Sequence, residues 1–281
     1  MRWLIYQEHV CREGFAVPER PEIVSLLKKE YYACPAQGEE LDKLEQELKQ
    51  AAESFERAPD DVENLIMYGR RIAYLWRFRE AISVFSDGIE KHPEEAMLYR
   101  HRGHRYINVR EFENAARDLE TATALEKNSF DIWYHLGLAR WLLGDYERAL
   151  DAYRACYEVT PEGENRVAIQ YWLFLTLMRL GKKQQAEELL QSVIPNQTGE
   201  NAHYCNILML FRSERTEEEI LEFSSRGGVD HVTLTFGLGM WHRLNGRERR
   251  ALECFRHAVS GTHWPGFGFI AAEVELWRSA S

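Results

Sequence analysis

Bulky apolar residues in the middle of this chain recur three and four apart in paired runs, and the pair itself then repeats. Leu65, Tyr68 and Ile72 make one stripe, and Phe78, Ala81 and Phe85 make the next. That spacing is one face of an α-helix. The following copies are Tyr99, Gly103 and Tyr106 with Phe112, Ala115, Leu119 and Ala122, then Trp133, Leu136 and Gly137 with Tyr146, Ala149, Tyr153 and Cys156. Gly69, Gly103 and Gly137 stand 34 residues apart, as do Ala81, Ala115 and Ala149, and Phe78, Phe112 and Tyr146. Pro93 and Pro161 are two periods apart. A fixed period of this size predicts stacked helix pairs, each burying the face its neighbour cannot cover alone.

Counting each repeat from Val62, Ala96 or Phe130, the glycine falls at position 8 and the alanine at position 20. These two small residues are expected to face each other where the paired helices cross, letting the axes approach. Large residues at positions 4, 11 and 24 fill the wedges, and proline at position 32 stops the second helix. The second repeat lacks that proline, and Asn128 is expected to act as its helix stop. With this period, the run Trp133-Tyr134-His135-Leu136-Gly137 resembles the tetratricopeptide repeat. The resemblance implies an all-α fold, a right-handed α-solenoid of five to six helix pairs.

Later repeats depart from the pattern. A fourth, after a three-residue insertion near Glu162–Asn165, carries Phe174 in place of the position-8 glycine, which predicts a splayed pair. Segment 201–224 is shorter, with an apolar helix from Ala202 to Arg212 and an acidic helix start at Thr216 to Glu219. Gly239, His242, Gly246, Ala251, Phe255 and Ala258 restore the pattern, with His242 as a packed core residue. Residues 1–37 read as an N-terminal extension that packs on the solenoid, with one short helix from Pro21 to Tyr32. Residues 38–60 read as a capping helix or half repeat bearing the stripe Leu41, Leu44, Leu48 and Phe55. Residues 61–265 are the repeats proper, and 266–281 form a C-terminal capping helix.

The 281 residues are 45% hydrophobic and 12% aromatic, with a net charge of −10. That acidity argues against a nucleic-acid binder, which needs surplus Lys and Arg, and against adhesion to anionic membranes. The five cysteines lack any C-x-x-C pair, so they read as reduced thiols, without a disulfide framework or a thiolate zinc site. The N-terminal Trp3, Leu4, Ile5 and Tyr6 are too few for a signal-peptide core, and no window has the apolar length of a membrane span. A soluble, cytoplasmic protein is the expectation.

In the repeats that this chain resembles, the first helix of each pair lines a concave groove through positions 2, 5, 9 and 12, with position 6 at the rim. Carried over, these positions give Arg70, Arg100, His101, His104, Tyr134, His135, Trp141 and Tyr171 as a partner-binding set. The set is cationic and aromatic inside an acidic chain, and Arg, Tyr and Trp are the side chains that anchor interfaces. It would favour an acidic peptide or a terminal carboxylate. Arg102 and Arg105 are expected to point toward neighbouring repeats. The carboxylate clamp of the chaperone-tail binders is absent: the corresponding positions hold Ile66, Arg70, His101, Asp131 and His135.

His101 and His104 are three apart on a helix, with His135 one period on, but no carboxylate or thiol completes a metal site, and no cofactor is expected. No nucleophile motif or phosphate loop is present. The sequence therefore reads as a non-enzymatic scaffold for an acidic protein partner, with a monomer favoured. The alternatives are self-association through an open end of the stack, via Trp264 and Trp277, and a metal-dependent enzyme.

Overall fold

Helix boundaries follow the repeat to the residue. First helices begin at Val62, Ala96 and Phe130, and second helices at Phe78, Phe112 and Tyr146. Two of the three residues before these first helices cap them: Asp61 accepts a hydrogen bond from the Asn64 N–H and Glu95 from that of Met97, whereas the Ser129 side chain makes no such bond. Between the two helices of a pair, one residue always turns left-handed: Trp76, Arg110, Gly144, Gly181 and Gly246, with φ of 58°, 66°, 84°, 70° and 72°. The N–H groups of Glu111 and Asp145 then bond back to the carbonyls of Tyr106 and Arg140, satisfying groups that a helix end leaves open. Glycine adopts this conformation freely, whereas each non-glycine residue there costs about 1–2 kcal/mol.

The computed structural model describes residues 20–33, 36–161, 163–195, 199 and 201–280. Among these residues are two short strands, β1 (Ile23–Val24) and β2 (Glu30–Tyr31). The helices are α1 (Glu39–Arg57), α2 (Val62–Tyr74), α3 (Phe78–Lys91), α4 (Ala96–Asn108), α5 (Phe112–Leu125), α6 (Phe130–Leu143) and α7 (Tyr146–Val159). They continue with α8 (Glu164–Arg179), α9 (Lys183–Gln191), α10 (Ala202–Phe211), α11 (Glu217–Ser224), α12 (Gly228–Leu244), α13 (Glu248–Ala258) and α14 (Phe267–Ala280). Among the described residues, no helix is long and apolar enough to cross a membrane. The chain divides into two compact units, one up to Pro93 and one from Glu94, so the division falls between the first and second repeats.

In the first unit α1 packs on α2 and α2 on α3. Phe55 stacks on Tyr68 with ring centres 5.2 Å apart, and Arg71 pairs with Glu47 at 2.6 Å. The helix expected from Pro21 to Tyr32 is instead an antiparallel hairpin that pairs Ile23 with Tyr31 and Val24 with Glu30. Burial alternates along it, with Ile23, Ser25 and Tyr31 inside and Val24 and Glu30 outside, which is the two-residue period of a strand. Lys28 at φ 61° turns the chain, and the Lys28 N–H donates to the Ser25 carbonyl. The hairpin is tied to the start of α3: the Glu22 carboxylate accepts from the Arg79 N–H at 2.6 Å. Burial raises the Glu22 pKa against that hydrogen bond. The Trp3–Tyr6 segment lies outside the described residues.

In the second unit the helix pairs α4–α5 and α6–α7 stack and pass to α8. The position-8 glycines do give close approach, but to a different residue than expected. A Cβ on Gly69, Gly103 or Gly137 would meet Phe85, Leu119 or Tyr153 at 2.6–2.8 Å. The residue facing each glycine is therefore at position 24, one helical turn beyond the buried alanine, which lies on the same face. Helix α5 ends at Leu125, so the helix stops before Asn128, whose N–H bonds the Glu126 carboxylate. Phe174 packs on Phe211 of α10, with rings 4.7 Å apart. Thr216 and Glu219 form a capping box at the acidic start of α11. Helix α14 lies tight on α12: a Cβ on Gly268 would sit 2.4 Å from the Val232 carbonyl oxygen.

Candidate partner-binding face

The expected binding residues divide into one half-buried surface position, one partly buried polar cluster and one aromatic core. Arg70 on α2 is the surface position, half-buried. Its guanidinium donates to the Tyr74 hydroxyl at 3.0 Å and lies over the same ring. Tyr74 and Met67, on the same helix, are 40% and 38% exposed. Among the described residues no carboxylate pairs with Arg70, whereas Arg71 beside it is held by Glu47. A separate open hollow of about 500 Å³ between α1, α2 and α3 is lined by Phe55, Leu65, Tyr68 and Val84, with Asp87 and Glu90 at its edge.

The polar cluster joins α4 to α6. Arg100 donates to Asp131 at 3.1 Å and to His101 Nδ1 at 2.8 Å. Arg105 donates to His104 Nδ1 at 2.6 Å. His135 Nδ1 lies 2.6 Å from the Asp131 carbonyl, which only accepts, so that nitrogen carries the proton. The rings of His104 and His135 are 4.3 Å apart, and both pack on Phe267, the first residue of α14, at 5.2 and 5.7 Å. Burial, then the Arg105 charge, holds His104 well below the usual histidine range. Burial, then Arg100, pushes His135 down to about 3, against the pull of Asp131. Both imidazoles are therefore neutral near pH 7. Arg102 binds Asp118 of its own repeat through two hydrogen bonds of 2.7 and 2.8 Å.

Tyr134, Trp141 and Tyr171 are core residues, not groove walls. Trp141 and Tyr171 are 0% exposed. Trp141 meets Trp172 at 5.3 Å and Phe236 of α12 at 5.9 Å, edge to face in both cases. Tyr134 lies 6.4 Å from Phe267, and its hydroxyl accepts from Trp172 Nε1 at 3.1 Å and lies 3.2 Å from the Tyr204 hydroxyl. His101 and His135 are also buried. The concave wall expected in the second unit is thus covered by Phe236 and Phe267, which α12 and α14 bring back onto α4 and α6. Trp264 is buried, which removes it from any open end, while Trp277 is 47% exposed.

The seam that makes this closure is polar, and sequence reasoning missed its residues. Arg110, in the left-handed turn after α4, binds Glu273 of α14 through Nε at 2.9 Å and Nη2 at 2.8 Å. It also donates to the carbonyls of Asn108 and Trp264 and lies over the Trp264 ring. Asn108 donates to the Pro265 carbonyl, and Arg278 of α14 donates to the Leu142 carbonyl and the Tyr146 hydroxyl. Glu275 is bracketed by Arg179 and Arg243. Glu273 and Glu275 are each 1% exposed, so these carboxylates would be costly without their arginines. One signal was available: Arg110 stands 34 residues before Gly144, at a turn where glycine is the unstrained choice.

Known proteins agree with the repeat reading. A family model described as tetratricopeptide repeat matches residues 101–164. Small glutamine-rich tetratricopeptide repeat-containing protein 2 of Saccharomyces cerevisiae is 28% identical over 103 residues, covering 37% of this chain and 29% of the yeast protein. Hsc70-interacting protein 1 of Drosophila melanogaster is 30% identical over 113 residues, covering 40% of this chain and 27% of the fly protein. This chain thus spans under a third of the length of either relative. Among solved structures, YrrB, described as a TPR protein with an unusual peptide-binding site, is 15% identical, with a TM-score of 0.48 over 75% of this chain and 91% of that one. With the 34-residue period carried by helix starts, notches and left-handed turns alike, the chain carries tetratricopeptide repeats, matched over residues 101–164.

Proposed function

We propose that this chain is a non-catalytic protein-interaction scaffold that takes an acidic segment of a partner on the first-helix faces of its repeats. The observation that carries the reading is the chain's own α14, whose buried Glu273 and Glu275 are held by Arg110, Arg179 and Arg243 at the ends of α4, α8 and α12. A surface that neutralises two buried carboxylates of a helix from its own chain has the chemistry to hold those of a partner. The accessible counterpart in the first unit is Arg70 with Tyr74 and Met67, residue types enriched at the centres of interfaces.

Similarity to an Hsc70-interacting protein does not make this chain a reader of chaperone tails. His101 and His135 stand at two clamp positions and are buried, and Asp131, at a third, is paired with Arg100.

Arg100 is a poor place to test the reading, because reversing its charge would also break the Asp131 pair. Arg70→Glu is cleaner, since among the described residues its guanidinium bonds only the Tyr74 hydroxyl. Affinity capture with wild type beside Arg70→Glu should lose partners that bind through acidic segments, with affinity falling more than about tenfold, in the range typical of interface anchors. The melting temperature should stay within about 3 °C, as for other surface substitutions. Retention of every partner by Arg70→Glu refutes the reading.

A further inference from the structure

The strained, buried arginine at residue 110 points to a second role for the closed face. Arg110 holds φ 66° in a turn column where Gly144, Gly181 and Gly246 hold 84°, 70° and 72° and Trp76 is the other non-glycine residue, at 58°. Non-glycine residues persist in such conformations when the surroundings over-determine them, and such sites cluster at clamps and switches. What over-determines Arg110 is the seam: its guanidinium is occupied by Glu273, Asn108 and Trp264. Across the seam, Arg278 of α14 donates to the Leu142 carbonyl and the Tyr146 hydroxyl, Glu273 accepts from Arg110, and the Pro265 carbonyl just before α14 accepts from Asn108. Against α12, by contrast, it packs backbone to backbone at Gly268. Helices α12–α14 therefore form one block, tight also on α10 where a Cβ on Gly237 would meet Ile207 at 2.7 Å, and it meets α4–α7 through the polar seam together with Phe236 on Trp141 and Phe267 on His104 and His135.

We propose that Arg110 is a latch that keeps the α12–α14 block shut over α4 and α6, and that the occupant of the opened face is an acidic helix of a partner, one of whose carboxylates replaces Glu273 in the Arg110 fork. The identity of the occupant rests on the scaffold reading above, and the latch itself does not. Charge complementarity selects the occupant: the resident helix carries Glu273 and Glu275 within an otherwise apolar stretch, and Phe267 on the neutral His104–His135 pair supplies an apolar anchor.

Two substitutions in the full chain separate latch from binding. Glu273→Gln weakens the latch but keeps the arginine. Arg110→Gly removes the latch while suiting the left-handed turn. Hydroxyl-radical footprinting of Trp264, with exposed Trp277 as internal reference, reads the seam. Both variants should oxidise Trp264 at least fivefold faster than wild type. A labelled peptide of residues 266–280 added in trans should bind Glu273→Gln at least tenfold more tightly than wild type, because the tethered helix no longer outcompetes it. Arg110→Gly should not gain that binding. Unchanged Trp264 oxidation in both variants overturns the latch, and equal peptide affinity for the two variants overturns the Arg110 fork.

Should either variant fail to fold, wild type alone in rising urea decides: Trp264 becomes reactive before helicity falls if the seam opens first, and coincident changes overturn the proposal. Unchanged Trp264 sinks the latch whatever partners exist. Partners retained by Arg70→Glu sink the scaffold reading whatever Trp264 does.

Discussion

Gly137→Ala tests the packing on which the repeat depends. A Cβ on residue 137 would lie 2.6, 2.7 and 2.8 Å from three ring atoms of Tyr153. Tyr153 is fully buried and its ring meets Tyr134 edge-on, so it has no free space to enter. Overpacking of this kind costs about 1–3 kcal/mol, while alanine in a helix interior returns about 1 kcal/mol relative to glycine. With a ring that cannot swing aside, the upper part of the range applies and the net loss is about 2 kcal/mol, lowering the melting temperature by roughly 4–8 °C. Gly103→Ala tests the same notch in the second repeat: its Cβ would meet Cγ of the buried Leu119 at 2.8 Å and the Ala115 carbonyl oxygen at 3.3 Å, so it too should be destabilising, by about 1–2 kcal/mol. Combining Gly137→Ala with Tyr153→Leu copies a leucine into the facing position, as in the second repeat, and should recover about 1 kcal/mol of the loss through coupling. Urea denaturation followed by circular dichroism measures all three. A Gly137→Ala protein as stable as wild type, or strict additivity with Tyr153→Leu, refutes the notch.

Stability should also depend on pH through His104 and His135. Their folded pKa values lie below the unfolded value of about 6.5, so between the two the unfolded chain binds more protons. Stability should thus be flat above about pH 7.5 and fall on acidification, with each site contributing up to about 1.4 kcal/mol per pH unit below 6.5. His135→Gln should flatten the decline, and an unchanged pH profile refutes the assignment. Burial pushes the Cys156 thiol up to about 12, so iodoacetamide at pH 8 should leave it unmodified in the folded chain and label it in urea. Labelling of folded Cys156 at the rate of a free thiol contradicts its burial.

Much of the fold was legible in the residues because the information was local. The position-8 glycines, the buried alanines and the prolines after the second helices mark where paired helices cross and stop, and the helix starts recur with the same period. The N-terminal hairpin was misread because Ile23, Leu26, Leu27 and Tyr31 also satisfy helical spacing, and only the bonds from Glu22 and Ser25 across to Tyr31 and Lys29 decide for strands. The candidate site was less legible. Position in a repeat says which side of a helix a residue takes, and so placed Arg70 and Trp141 alike on first-helix faces. It does not say what covers that face.

The sequence by itself determined the helix pairs, their boundaries, and the small and large residues that let them nest, because each depends on side-chain volume and backbone preference within one repeat and its neighbour. Only the tertiary structure decided that Trp141, Tyr171, His101 and His135 are buried while Arg70 is not. That outcome depends on Phe236, Phe267 and Glu273 returning to the early helices of the second unit, and Glu273 meets Arg110 across 163 residues of chain. A contact at that separation leaves no period to read, because it is made once, by a carboxylate too costly to bury anywhere except beside a matching arginine.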